Sequence, residues 1–228
     1  KGAVKDVKLF IFDMDGTLFD TEPISAHIWK EVGREAGYVV PDRVLQSIIG
    51  MSYPGGRRVF KAAMGDGFPF DTLCAEKLRR QNQWYDTHDV PLKKGVHEIL
   101  DYAAKNGISC AVASSSPIVQ IEKLLGQAGI SDRFAYLQSG EDIVRGKPAP
   151  DIFLTACAHF DIDPADALVF EDSANGLKAA AAGRIRSVWI PDIAVIPENV
   201  ADTVWLQASS LAEVPRLLSN GSAEGGGR

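Results

Sequence analysis

Apolar residues along this chain follow two alternating rhythms. Short runs at residues 8–12, 109–113, 135–138, 167–170 and 187–190 are mostly continuous, with few polar interruptions. Runs of that length and density predict strands buried on both faces. Between them the spacing changes to three and four. It predicts helices over residues 96–106, 117–129, 150–160 and 177–182. Strands alternating with helices imply a mainly parallel sheet covered on both sides, an α/β architecture.

The alternation is interrupted once. Between residues 20 and 88 no strand pattern occurs. Ile24, Ile28, Trp29, Val32 and Ala36 recur at helical spacing, and Val44, Leu45, Ile48 and Ile49 suggest a second helix ending at Gly50. Tyr53-Pro54-Gly55-Gly56 is expected to form a turn. Residues 57–64 and 72–87 read as two further helices around Gly65-Asp66-Gly67-Phe68-Pro69. The chain therefore reads as a discontinuous core, residues 1–18 and 92–228, with a helical insertion over 19–91. Its entry and exit segments are expected at about residues 18–22 and 89–95.

Composition narrows the setting. The 228 residues carry a net charge of −6 and are 46% hydrophobic, ordinary for a globular protein. An acidic balance argues against general nucleic-acid or membrane-surface binding, which leaves a basic footprint. It leaves room for an anionic substrate, because a metal and local lysines reverse the field inside one cleft. Cys74, Cys110 and Cys157 are odd in number and widely spaced, with no Cys/His cluster. Neither a disulfide framework nor a zinc site is suggested, and a reducing cytoplasm fits best. Cys110 sits in an apolar run and reads as a buried thiol. Lys1-Gly2-Ala3 is too short for a targeting segment, and the Gly-rich stretch from Gly221 to Arg228 reads as flexible.

The chemistry concentrates where apolar runs stop. The first run ends in Asp13-Met14-Asp15-Gly16-Thr17. Ligands bind at the carboxyl ends of strands in such sheets. Two carboxylates that close repel unless something compensates. Mg²⁺ suits the task, since it takes few carboxylates together with substrate phosphate. Asp13 is then placed to attack phosphorus and Asp15 to handle the proton. The plainer alternative is an Asp-rich turn closed by Gly16. A second run ends in the hydroxyls Ser114-Ser115-Ser116. Gly146-Lys147-Pro148-Ala149-Pro150-Asp151 holds a Lys in a stiff turn. A third run ends in Glu171-Asp172-Ser173-Ala174-Asn175-Gly176.

In this order and spacing the four segments resemble the motifs of the haloacid dehalogenase superfamily of phosphotransferases. The similarity is greatest to its β-phosphoglucomutase-like and small-metabolite phosphatase branch, and it spans about residues 8–218. The resemblance implies a Rossmann-like core with a helical cap inserted after the first strand. It implies Asp13 as the nucleophile that forms an aspartyl-phosphate. Asp15 serves as general acid and base, or only through its backbone carbonyl. Ser114 donates to a phosphoryl oxygen, aided by backbone N–H groups where a helix begins. Lys147 offsets transition-state charge. Asp13, the Asp15 carbonyl, Asp172 and Glu171, the last directly or through water, form the Mg²⁺ set. Thr17 shapes its turn or bonds a phosphoryl oxygen or a neighbouring loop. Substrate contacts are expected from Thr17, Thr21, Glu22, Gly50 and Ser115. Trp29 fits core packing better than ligand contact, and Arg57 and Arg58 fit a solvated helix face.

Departures from the family pattern carry information. Dehalogenase members lack the second Asp, so Asp15 disfavours carbon–halogen chemistry. Mutase members place a His where Ser25 stands and cap-loop cations where Ile49 and Tyr53 stand. A mutase must hold a bisphosphate, and the matching cations are missing here. His27 is nearby but faces another side of its helix. Lys94 replaces a common Pro without chemical consequence. The expected activity is a Mg²⁺-dependent phosphatase acting on a small sugar or polyol phosphate, as a monomer with no nucleic-acid or membrane partner. A phosphosugar mutase and a phosphoryl-Asp signalling receiver are the alternatives.

Overall fold

The computed structural model describes residues 7–221. Lys1-Gly2-Ala3 and nearly all of the Gly-rich stretch lie outside the described residues. Six parallel strands form one sheet in the order β3-β2-β1-β4-β5-β6. They are β1 (Leu9–Phe12), β2 (Ser109–Ser114), β3 (Tyr136–Ser139), β4 (Ala167–Glu171), β5 (Arg186–Trp189) and β6 (Leu206–Gln207). The first strand is central, with Phe12 in register with Val112 on one side and Phe170 on the other. All four of its residues are fully buried, which is why the run carries no polar alternation.

Helices α5 (Val96–Lys105), α6 (Ile118–Gln127), α7 (Asp151–His159), α8 (Ala174–Ala182), α9 (Glu198–Ala201) and α10 (Val214–Gly221) accompany the sheet. Alternate strand residues enter separate apolar clusters. Phe10, Phe12, Val112 and Phe170 meet α5, α6 and α10, whereas Leu9, Ile11, Ala111 and Val169 meet α7 and α8. Pairing β1 with neighbours on both sides brings the ends of β1, β2 and β4 together.

The insertion comprises α1 (Glu22–Glu35), α2 (Asp42–Ile48), α3 (Tyr53–Met64) and α4 (Phe70–Thr87). It has its own apolar cluster, built on Ile28, Trp29, Val32, Phe60, Phe68 and Phe70. Trp29 packs against Phe60 with ring centroids 4.6 Å apart, so its helical spacing does serve packing. The segments entering and leaving the insertion run side by side. Asp20 N–H donates to the Pro91 carbonyl at 2.9 Å and Lys93 N–H to the Leu18 carbonyl at 2.8 Å.

Several local expectations are corrected. Tyr53-Pro54-Gly55-Gly56 is the first turn of α3 and not a separate turn. Proline is tolerated there because its missing N–H would lack a helical partner anyway. The chain beyond residue 190 contains a sixth strand and two helices that sequence spacing did not reveal. Gly221 ends α10 and does not begin a loose tail. Finally, α8 starts at Ala174, where the Ser173 hydroxyl accepts the Gly176 N–H at 3.0 Å.

Candidate active site

At the tip of β1 the Asp13 side chain is almost completely buried and receives the Lys147 ammonium at 2.6 Å. The same ammonium donates to Glu171 Oε1 at 2.7 Å and lies 3.3 Å from the Ala113 carbonyl. Lys147 therefore ties together the ends of β1, β2 and β4. Its side chain has no solvent exposure. Burial pulls its pKa down, but Asp13 and Glu171 outweigh that and hold it above the usual lysine value.

The carboxylates at the end of β4 are treated differently. Glu171 Oε2 accepts from the backbone N–H groups of Asp172 and Ser173 and from the Ser173 hydroxyl, each within 3.0 Å. With Oε1 on Lys147, both of its oxygens are engaged. Asp172 has less support. Its Oδ1 accepts from Thr17 Oγ1 at 3.1 Å, while Oδ2 is buried with no partner. Burial pushes the pKa of Asp13 and of Asp172 well up, and neighbouring carboxylates add to it; Lys147 opposes the rise at Asp13. Oxygens of Asp13, Glu171 and Asp172 lie within 4.8 Å of one another. A buried oxygen-only donor set with an orphaned carboxylate oxygen fits a hard divalent cation such as Mg²⁺.

Glycines make this packing possible. Gly16 has a left-handed backbone, φ +80°, and a Cβ there would stand 2.4 Å from Asp172 Oδ2. At Gly176 a Cβ would fall 1.6 Å from Glu171 Oε1.

Asp15 faces three hydroxyls. Thr21 donates to Oδ1 at 2.6 Å, Ser116 to Oδ2 at 2.7 Å, and Ser114 approaches Oδ2 at 3.4 Å. Ser114 also accepts the Ser116 N–H at 3.0 Å. Asp13, Asp15 and Ser114 line a cavity of about 650 Å³ between core and insertion. Of the residues expected to touch substrate, Glu22, Gly50 and Ser115 line this cavity as well. Thr17 and Thr21 do not. Both are buried, with Thr17 committed to Asp172 and Thr21 to Asp15. Each therefore orients a carboxylate, which is the neighbouring-loop role for Thr17.

The insertion is docked onto the core. Ser115 donates to the Gly50 carbonyl at 3.0 Å, and Asn175 Nδ2 donates to the Ile49 carbonyl at 2.8 Å. Gly50, at φ +74°, has no room for a side chain, since a Cβ would sit 2.3 Å from Ser173 Oγ. Ser25, Ile49 and Tyr53 line the cavity, whereas His27 is largely exposed beside Glu31. Arg57 pairs with Asp71 on the exposed surface.

Sequence reasoning missed Lys77 and Gln81 on α4 and Gln120 on α6, all buried and all lining the cavity. The absence of cap cations is therefore incomplete, because Lys77 enters from α4. A signal was present. Lys77 and Gln81 fall on the same three-and-four spacing as Phe70, Leu73, Cys74 and Tyr85, so two polar residues occupy the buried stripe of α4. Burial first, then Asp15, pushes the Glu22 carboxyl up to about 8 despite Lys77, and burial pulls Lys77 down.

A parallel α/β core bearing a paired aspartate, a buried Lys and an acidic cluster at three adjacent strand ends defines a phosphotransfer type of site. The family model for haloacid dehalogenase-like hydrolases matches residues 7–184. The chain belongs to that family. It is 31% identical to the putative phosphatase YhcW of Bacillus subtilis over 189 residues, 82% of this chain and 84% of that protein. It is 30% identical to hexitol phosphatase B of Escherichia coli K12 over 182 residues, 79% and 82% of the two chains. Among solved structures, β-phosphoglucomutase from Clostridium difficile superimposes with a TM-score of 0.82 at 21% identity, covering 96% of this chain and 98% of that one. At that identity the likeness establishes the shared fold.

Proposed function

We propose that this hydrolase is a Mg²⁺-dependent phosphatase that cleaves a small sugar or polyol monophosphate through an aspartyl-phosphate on Asp13. The observation that carries the reading is the division of labour between the two aspartates. Asp13 is held by Lys147 at the cavity floor, and Asp15 is held by Thr21 and Ser116 with Ser114 beside it.

An Asp13 oxygen attacks phosphorus, the P–O bond to the leaving group breaks, and Asp15 delivers a proton to the departing alkoxide. Water then attacks the phosphoryl group, with Asp15 accepting its proton, and the Asp13 carboxylate is regenerated. Lys147 neutralises charge on Asp13 and on the phosphoryl oxygens. Ser114 and the N–H groups opening the loop after β2 face the transferring group. Asp13, Asp172 and the Asp15 carbonyl would hold Mg²⁺, with Glu171 acting through water or through Lys147 because its own oxygens are already bonded. The metal, when bound, supplies electrostatic stabilisation of the phosphoryl oxygens.

Residues 19–91 act as a cap over this floor, moving about residues 18–22 and 89–95, and closure excludes bulk water. The family name and the phosphatase names of the two relatives support hydrolysis. The uncharged Ser25, Ile49 and Tyr53 on the cavity wall support it over mutase chemistry, since these three would give a distal phosphate no charge-assisted partner and leave it Lys77 alone among the lining residues described. The three cysteines are all free and buried, in keeping with a reducing cytoplasm. Among the described residues no helix is long and apolar enough to cross a membrane.

The test measures phosphate release from a panel of sugar, polyol and nucleotide monophosphates with Mg²⁺, beside a coupled assay for glucose 6-phosphate formation from β-glucose 1-phosphate and a bisphosphate primer. Release of inorganic phosphate should dominate. Isomerisation faster than release would replace the phosphatase by the mutase.

A further inference from the structure

Two polar side chains on the cavity wall opposite the catalytic floor have unused hydrogen-bonding capacity among the described residues. Gln81 is 2% exposed, and its Oε1 is buried with no hydrogen bond while Nε2 is taken by the Tyr85 hydroxyl. Lys77, one helical turn earlier, is 9% exposed. Its Nζ makes no hydrogen bond or ion pair among the described residues, and feels Glu22 and Asp15 only across space. Unpaired buried polar groups are costly and uncommon in folded proteins. Gln81 Oε1 is such a group, and Lys77 one turn away presents an uncommitted ammonium to the same cavity, so that a ligand is the natural partner of both.

We propose that Lys77 and Gln81 determine specificity by reading hydroxyl groups on the neutral, polyhydroxylated leaving portion of a monophosphate. This rests on the phosphatase reading above and deepens it. The complementarity is chemical. Gln81 Oε1 needs a donor, and Lys77 Nζ needs acceptors. A hydroxyl satisfies both, because it accepts one hydrogen bond while donating another. A carboxylate or a second phosphate dianion accepts from Nζ but offers Oε1 no donor. Charge argues the same way. Among the described residues Lys77 is the only Lys or Arg lining the cavity, and Asp13, Asp15, Glu22, Asp42 and Glu141 line it too. An additional anion beyond the reacting phosphate would face those carboxyls with one amine already opposite Glu22. Around these polar points stand Trp29, Leu45, Ile48 and Phe70, an apolar surface suited to the carbon faces of a sugar or polyol.

The experiment compares kcat/KM for three kinds of probe with Mg²⁺ present. The first is the best of glucitol 6-phosphate, mannitol 1-phosphate and glucose 6-phosphate. The second is n-hexyl phosphate, of similar length without hydroxyls. The third is 6-phosphogluconate, which carries a carboxylate at the far end. The wild type should prefer the hydroxylated neutral probe at least tenfold over each of the others. In Lys77→Met and in Gln81→Leu the preference over hexyl phosphate should fall at least fivefold, mainly through KM for the hydroxylated probe. Lys77→Gln keeps a donor and should recover part of the loss. Circular dichroism melts identify any variant that fails to fold. If Lys77→Met does so, Gln81→Leu and Lys77→Gln decide. A wild-type preference near one, an unchanged preference in folded variants, or a preference for 6-phosphogluconate would each overturn the proposal while leaving phosphate release, and hence the phosphatase reading, intact. Absence of phosphate release from every probe and every monophosphate of the wider panel would instead remove the phosphatase reading, and this inference with it.

Discussion

The two aspartates of the first loop differ in environment by a few atoms, and that difference supports the separate roles proposed for them. Asp13 meets a fully buried ammonium, Asp15 a ring of hydroxyls. A nucleophile needs its carboxylate form and a cation at hand; a proton carrier needs a fixed orientation, which the hydroxyls provide. Asp13→Asn should therefore reduce phosphate release by more than about a hundredfold, which is roughly 2.7 kcal/mol of barrier, with cooperative thermal unfolding retained. Release within about tenfold of wild type would exclude covalent catalysis by Asp13. Thr21→Val removes the 2.6 Å bond to Asp15 without opening the cavity. It should lower kcat about tenfold with little change in KM, since a misplaced proton carrier affects turnover and not substrate docking. A rise in KM alone would return Thr21 to the substrate contacts expected from its sequence position.

At the scale of elements, strand ends and helix starts are packed tightly enough to leave no spare atom. The first turn of α8 lies against Glu171, and Gly176 is the residue that permits it. Gly176→Ala would ordinarily favour a helix. Here it must displace the Glu171 carboxyl and disturb its bond to Lys147. A loss of about 1–3 kcal/mol is expected, read as a fall in melting temperature together with loss of activity; an unchanged melt would mean that the loop yields freely. Cys110 in β2 and Cys157 in α7 show burial as the leading influence on ionisation. Burial pushes their thiols up to about 12 and about 11. Both values exceed the unfolded thiol range near 8.5. The stability tied to the neutral thiols is thus complete below about pH 8.5 and is lost as pH rises through the folded values. Cys110→Ala should show a flatter fall in urea midpoint between about pH 9 and 11 than the wild type. Native protein at pH 8 should react slowly with a disulfide reagent, and rapid labelling of Cys110 would contradict its burial.

For the whole molecule, the governing relation is between the sheet and the four inserted helices. The cavity lies where they meet, and the contacts that join them include Ser115 to Gly50, Asn175 to Ile49, the packing of Gly50 on Ser173, and the bonds of Lys123 to Asp86 and Gln127 to the Tyr85 carbonyl. Asn175→Ala should weaken closure and raise KM severalfold while leaving the melting temperature within a few degrees. Small-angle scattering with and without a phosphate analogue should show a larger change in the variant than in the wild type. Identical profiles in all states would count against movement of residues 19–91. The proposed metal binding belongs to this scale as well, because the candidate donors come from loops far apart in sequence. Mg²⁺ should raise the melting temperature by linkage, and exhaustive chelation should abolish phosphate release. Full activity after chelation would remove the metal roles of Asp13 and Asp172.

Much of this was legible in the chain itself. Continuous apolar runs can be buried strands or buried helix segments, but their short length and abrupt polar ends identify them as parallel strands. The same ends expose the chemistry, because Asp13, Ser114, Glu171 and Asp172 each follow a run that cannot tolerate charge within it. Local sequence also announced the insertion, since helical spacing persists from residue 24 to 87 without a strand. Partners distant in sequence were a different matter. That Thr21 supports Asp15, that Glu171 is saturated while Asp172 Oδ2 is not, and that α4 brings Lys77 and Gln81 over the cavity all depend on how segments far apart in the chain are packed. Periodicity records which face of an element is buried. Only tertiary packing decides what that face is buried against, and a polar residue on an apolar stripe acquires its meaning from the neighbour opposite.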